Sequence, residues 1–185
     1  MNKTSILSIL ALIILFPLFS QKAPIKFGKV SMEDMQMTAY PDDTSAAAVI
    51  LCDYGYFNSN TFETTRLIRI KILKKEGLGW ADKVFPTASK SAIRGITYNL
   101  ENGEIVEEKL KNSSIYEERV YEDYYRMRVA MPNVKVGSIF DIEFTFFLIP
   151  VEWRFQDVIP VRWSELYLES SQYIRFQKTC LDINP

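Results

Sequence analysis

Apolar and polar positions fall into two regimes along the chain. Residues 6–19 are almost continuously apolar, broken only by Ser8 and Pro17. Lys3 precedes the run, and Ser20, Gln21 and Lys22 follow it. A basic start, an apolar run and a small-residue exit are the marks of a secretory signal. The run is shorter than the roughly 20 residues a helix needs to span a bilayer, so a retained anchor is the weaker reading. We expect a signal peptide over 1–20, although Leu18 is larger than the position two before a cut prefers. No Cys sits at the exit, which argues against a lipid anchor there.

After the leader the pattern shifts to a period of two. Residues 46–53 make a short apolar run, long enough for a buried strand. Asn58-Ser59-Asn60 is a turn, and 62–73 form the next strand. Ile68, Ile70 and Ile72 alternate with Arg69 and Lys71, which predicts one face on a core and the other in water. Phe140, Ile142, Phe144 and Phe146 alternate in the same way with Asp141, Glu143 and Thr145 over 139–148. A strand over 81–85 ends at Pro86. Residues 93–99 and 104–110 flank Glu101-Asn102-Gly103, and Asn-Gly is a strong tight-turn pair. Further strands are expected over 115–120, 124–130, 153–158, 162–169 and 173–177. Tyr40-Pro41-Asp42-Asp43 reads as a loop, and Met32, Met35 and Met37 as a short helix or irregular segment. Roughly ten short strands, with turn signals about every 8–12 residues, predict an all-β fold, an antiparallel β-sandwich of immunoglobulin-like type. We expect residues 21–185 to form that single domain.

Composition removes whole classes of function. Lys and Arg total 22 against 23 Asp and Glu, a net charge of −1, which argues against a nucleic-acid partner. The chain has no histidine. Ser-His-Asp and Cys-His centres lack their base, and zinc or non-haem iron sites lack their usual ligands. No glycine-rich phosphate loop occurs. We therefore expect no enzyme, no cofactor and no resident metal. Glu117, Glu118, Glu122 and Asp123 could offer oxygen ligands to Ca²⁺, but their spacing matches no Ca²⁺ loop and a solvated strand end is the better reading. No carboxylate pair stands out for glycoside hydrolysis. Cys52, inside Val49-Ile50-Leu51-Cys52, reads as a buried thiol. Export would allow a bridge to Cys180, but two cysteines carry little information on pairing.

The aromatics are the remaining candidates. Tyr116, Tyr121, Tyr124 and Tyr125 cluster; Trp153 shares a parity with Phe155, and Trp163 with Tyr167. Exposed rings stack on sugars or form interfaces, whereas buried ones build the core, their commoner fate in small β domains. Tyr124, Tyr125, Trp153 and Trp163 are the candidate ligand or interface residues.

Several segments together resemble a bacterial family. Leu67-Ile68-Arg69-Ile70-Lys71-Ile72-Leu73-Lys74-Lys75-Glu76-Gly77 comes first, then residues 93–103. Met131-Pro132-Asn133-Val134-Lys135-Val136-Gly137-Ser138-Ile139 follows, then Trp153-Arg154-Phe155-Gln156 with Ile159-Pro160-Val161 and Ser164-Glu165. In this order, over about 40–173, they resemble an exported domain of unknown function that usually precedes a transglutaminase-like domain. The resemblance implies a β-sandwich without catalytic residues, since any Cys-His-Asp centre belongs to the following domain. That domain is missing here, so the chain is expected to be a stand-alone version or a truncated product. Cys180 has no histidine partner and is not the missing nucleophile. The expected function is a non-catalytic module in the periplasm or cell envelope that positions substrate or contacts a transglutaminase-like partner. A carbohydrate-binding module and a remnant of a larger protein are the alternatives.

Overall fold

The computed structural model describes residues 23–85, 89–121, 124–147, 149–150 and 152–172. Within them the alternating segments become nine strands. These are β1 Ala48–Asn58, β2 Glu63–Ile72, β3 Asp82–Phe85, β4 Ile93–Glu101, β5 Glu104–Lys109, β6 Ile115–Tyr121, β7 Tyr124–Ala130, β8 Ile139–Phe147 and β9 Ser164–Leu168. A short helix, α1 Met32–Gln36, precedes them, capped by Ser31, whose hydroxyl accepts from the Asp34 N–H. Six strands form one sheet in the order β5-β4-β8-β2-β1-β9, and three form another in the order β3-β7-β6. The fold is all-β, with two open sheets among the described residues.

The hairpin β4–β5 turns where the sequence predicts. Asn102 and Gly103 both take positive φ, 52° and 84°, as a two-residue turn of this hand requires. Two expectations are corrected. First, β9 pairs with β1 in parallel, from Asp53 opposite Ser164 to Phe57 opposite Leu168, so the larger sheet is mixed. β9 is reached from β8 by a long connection rather than a hairpin, and only such a connection can bring a strand back parallel. Second, no strand forms over 153–158. The Val158 N–H goes to its neighbour, the Asp157 carboxylate, at 2.7 Å rather than into a ladder. The expected leader over 1–20, the strand over 173–177 and Cys180 lie outside the described residues.

The apolar parity builds the core as expected. Ile68, Ile70 and Ile72 of β2 and Phe140, Ile142 and Phe144 of β8 cluster with Phe85, Ile115, Met127 and Val129 of the smaller sheet. The Phe85 and Phe144 rings meet at 4.2 Å between centroids. Each such buried side chain stabilises the fold by about 1.5–3 kcal/mol.

The opposite parity departs from expectation. Arg69, Lys71 and Asp141, expected in water, are 3%, 0% and 0% exposed. The segment before β1 lies over this face: Met35, Tyr40 and Ala46 cluster with Val49, Leu51, Ile96, Tyr98 and Ile139. Its backbone provides the partners that make charge burial tolerable. Arg69 grips Asp141 with two bonds of 2.6 and 2.8 Å and donates to the carbonyls of Lys26 and Lys29 at 3.2 and 2.6 Å. Asp141 also accepts from the Gly28 N–H and the Tyr98 hydroxyl. Lys71 donates to the carbonyls of Met35 and Gly137, both at 2.7 Å.

Candidate functional site

Charge also appears on the face where the two sheets meet. A bulge in β1 puts it there. Ile50 pairs with Ile70 and Asp53 with Ile68, so one extra residue is inserted between them. The inserted residue switches the parity of everything after it and turns Asp53 toward the smaller sheet. Arg66 follows from β2, two residues from Ile68 and opposite Gly55. From the facing sheet, Lys83 shares the parity of Phe85, opposite Val129.

These groups meet two tryptophans. The Arg66 guanidinium donates through Nε and Nη2 to the two oxygens of Asp53, the first bond being 2.7 Å. Its carbon lies 4.5 Å from the centre of the Trp153 ring. Trp153 can sit there because Gly55 has no side chain: a Cβ on Gly55 would stand 2.6 Å from the ring. The Trp153 indole N–H donates to the Ser164 hydroxyl at 2.9 Å, which ties the 149–163 connection to β9. The Lys83 ammonium lies 4.0 Å over the Trp80 ring, at the end of the 3-10 helix Lys75–Ala81. Burial lowers the Lys83 amine to about 8, with Arg66 pushing the same way and Asp157 and Asp53 opposing. Two cations, two carboxylates and two indoles thus form one cluster on the face where the sheets meet.

Carboxylate-paired Arg and aromatic-faced Lys present charge and flat apolar surface together. Burial pushes the Cys52 thiol up to about 12, so it is not a nucleophile near neutrality.

Of the four aromatics singled out from sequence, Trp153 alone belongs to this cluster. Trp163, 51% exposed, sits just before β9 and donates to Glu165 at 3.2 Å. Tyr125, 37% exposed, lies in β7 opposite Arg119, and Tyr124 begins the same strand. They do not form one site. Tyr116, Tyr121 and Phe155 are also exposed, so the core reading fails for these rings. In the acidic cluster Glu118 is engaged by Arg126 at 2.8 Å, while Glu122 and Asp123 lie outside the described residues.

Sequence reading passed over Asp53, Arg66, Trp80 and Lys83. Two of them carried a usable signal. Arg66 falls on the parity of Ile68, Ile70 and Ile72, and Lys83 on that of Phe85, so each is a charge on an apolar face. Asp53 carried none, because the bulge that turns it inward is not written in the alternation.

A second aromatic patch lies on the other face of the larger sheet. Tyr56 and Tyr167 stack at 5.7 Å with rings 10° apart. The Tyr56 hydroxyl donates to Glu169 at 2.8 Å, and this carboxylate is the main cause that raises it to about 12. Thr65 and Thr145 continue the row, their hydroxyls 3.1 Å apart.

No family model matches the chain, and no curated protein does. Among solved structures, it is similar to a protein from Parabacteroides distasonis described provisionally as a protease, at 11% identity and a TM-score of 0.40. The match covers 54% of this chain and 22% of that one. A likeness this slight bears on neither fold nor activity.

Proposed function

We propose that the chain is a non-catalytic module of the bacterial envelope, exported by its leader. It positions a substrate for, or contacts, a transglutaminase-like partner. The observation that carries this reading is the charged and aromatic cluster of Asp53, Arg66, Lys83, Trp80 and Trp153 between the sheets. A domain built only for stability fills such a face with aliphatic side chains, because burying paired charge gains little. The ordered series of segments resembling a transglutaminase-associated domain supplies the partner. The proposed fold is an immunoglobulin-like sandwich, supported by the apolar cluster that both sheets share. The test is binding of the secreted chain to the purified transglutaminase-like protein of the same envelope. Binding that weakens at least tenfold in Arg66→Met supports the reading; no binding at any salt concentration sinks it.

A second reading is a glycan-binding module, favoured by the Tyr56–Tyr167 stack with Glu169 beside it. Coplanar rings with acceptor oxygens suit the apolar face and hydroxyls of a sugar. Calorimetric titration with common envelope polysaccharides checks it; no heat and unchanged Trp fluorescence remove it.

A further inference from the structure

We propose that the outer edge of β9 takes up an extended segment of another protein as a further strand, one that alternates apolar with basic residues. The inference goes beyond the cluster between the sheets and does not rest on it. The ladder to β1 shows which backbone groups are left over. The Asp53 N–H donates to the Trp163 carbonyl at 2.9 Å, and the Glu169 N–H to the Phe57 carbonyl at 3.0 Å. Between them Tyr54 stands opposite Glu165 and Tyr56 opposite Tyr167. Trp163, Glu165, Tyr167 and Glu169 therefore turn their backbone groups toward β1, while Ser164, Leu166 and Leu168 turn theirs away. Among the described residues no strand lies on that side.

β9 differs from the other sheet edges. Proteins blunt exposed edges with charge, proline or short length. β5 carries Glu104, Glu107, Glu108 and Lys109, and β6 carries Glu117, Glu118 and Arg119. β3 is four residues long and begins with Asp82 and Lys83. β9 has Glu165 as its one charge and no proline. Its outward backbone groups can pair with a strand that those other edges would repel.

The side chains on the two faces of β9 choose that strand. Ser164, Leu166 and Leu168 share the face of Gly55, where a Cβ would stand 2.9 Å from the Leu166 side chain. An added strand sets every second side chain beside these leucines, where an apolar group loses water. Its intervening side chains fall on the face of Trp163, Glu165, Tyr167 and Glu169, which Tyr54 and Tyr56 of β1 continue. Two of these residues are acidic and none is basic. Glu169 accepts from the Tyr56 hydroxyl at 2.8 Å, a neutral donor that leaves the carboxylate charge in place. Lysine or arginine suits those positions, with its stem along the aromatic rings.

The experiment titrates the chain with an acetylated, amidated heptapeptide that alternates valine and lysine, followed by NMR of the backbone amides. The amides of Ser164, Leu166 and Leu168 should shift and exchange more slowly, with little change in β5. Only one set of peptide N–H groups faces β9. N-methylation of either the valines or the lysines should therefore weaken binding about tenfold, and N-methylation of the other set should leave it unchanged. Glutamate in place of lysine should weaken binding about fivefold at low salt. Leu168→Pro removes an outward donor and no bond to β1, so it should weaken binding while circular dichroism stays that of the parent. Should that variant not fold, the two methylated peptides decide alone. No shift at the three amides, or equal binding of the two methylated peptides, overturns the inference. Slow exchange at Leu166 and Leu168 before any peptide is added also overturns it, because the edge is then already paired. Equal binding of the glutamate peptide overturns the choice of a basic partner.

Discussion

Replacing Asp141 by alanine tests how the segment before β1 is held. Asp141 is fully buried and accepts from Arg69 twice, from Tyr98 and from the Gly28 N–H. Its removal leaves the Arg69 guanidinium, itself 3% exposed, charged and without its carboxylate. Breaking one partner of a buried ion pair costs about 3–5 kcal/mol, a large share of the roughly 5–15 kcal/mol that holds a domain folded. The double variant Arg69→Met with Asp141→Leu should recover most of that loss, because no charge is left stranded. It should not restore the clamp, since the carbonyls of Lys26 and Lys29 lose their donor. Urea unfolding followed by circular dichroism gives the stabilities, and amide hydrogen exchange at Gly28 reports the clamp. An Asp141→Ala cost below about 1 kcal/mol, or a double variant as unstable as the single one, would refute the reasoning.

Three further outcomes are expected. Burial lowers the Lys71 amine to about 8 in the folded chain, against 10.5 for the free side chain. Between those values the unfolded chain keeps a proton that the folded chain has released. Stability relative to Lys71→Met therefore rises with pH across that window, by up to about 1.4 kcal/mol per unit; denaturant midpoints at pH 7.5 and 9.5 check it, and a flat difference counts against it. Gly55→Ala puts a Cβ 2.6 Å from the Trp153 ring and 2.9 Å from Leu166. It should cost about 1–3 kcal/mol and alter near-ultraviolet circular dichroism as the indole is displaced, whereas an unchanged spectrum contradicts the packing. Gly103→Ala has open space but a φ of 84°, so strain alone should cost about 1–2 kcal/mol, read from the thermal midpoint.

Alternation made β2, β8 and the β4–β5 hairpin legible, because a period of two fixes which side chains share a face. It could not say what covers the second face. Arg69, Lys71 and Asp141 look solvated in the alternation, and only the tertiary placement of the weakly patterned segment before β1 buries them. The connection containing Trp153 alternates like a strand, yet one ring is anchored by Gly55 while Phe155 stays 58% exposed. The charged and aromatic cluster was half legible. Arg66 and Lys83 stand on apolar parities, but Asp53 is placed by a bulge and Trp80 by a 3-10 turn, and neither leaves a period in the sequence.

We propose that the cluster of Asp53, Arg66, Lys83, Trp80 and Trp153 meets a transglutaminase-like partner. Amide hydrogen exchange of the chain, with and without that purified partner, tests it most directly. The account predicts slowed exchange around Arg66, across Trp80 to Lys83 and around Trp153, with little change in the β4–β5 hairpin. Protection confined to other surfaces, or none at saturating partner, would contradict it.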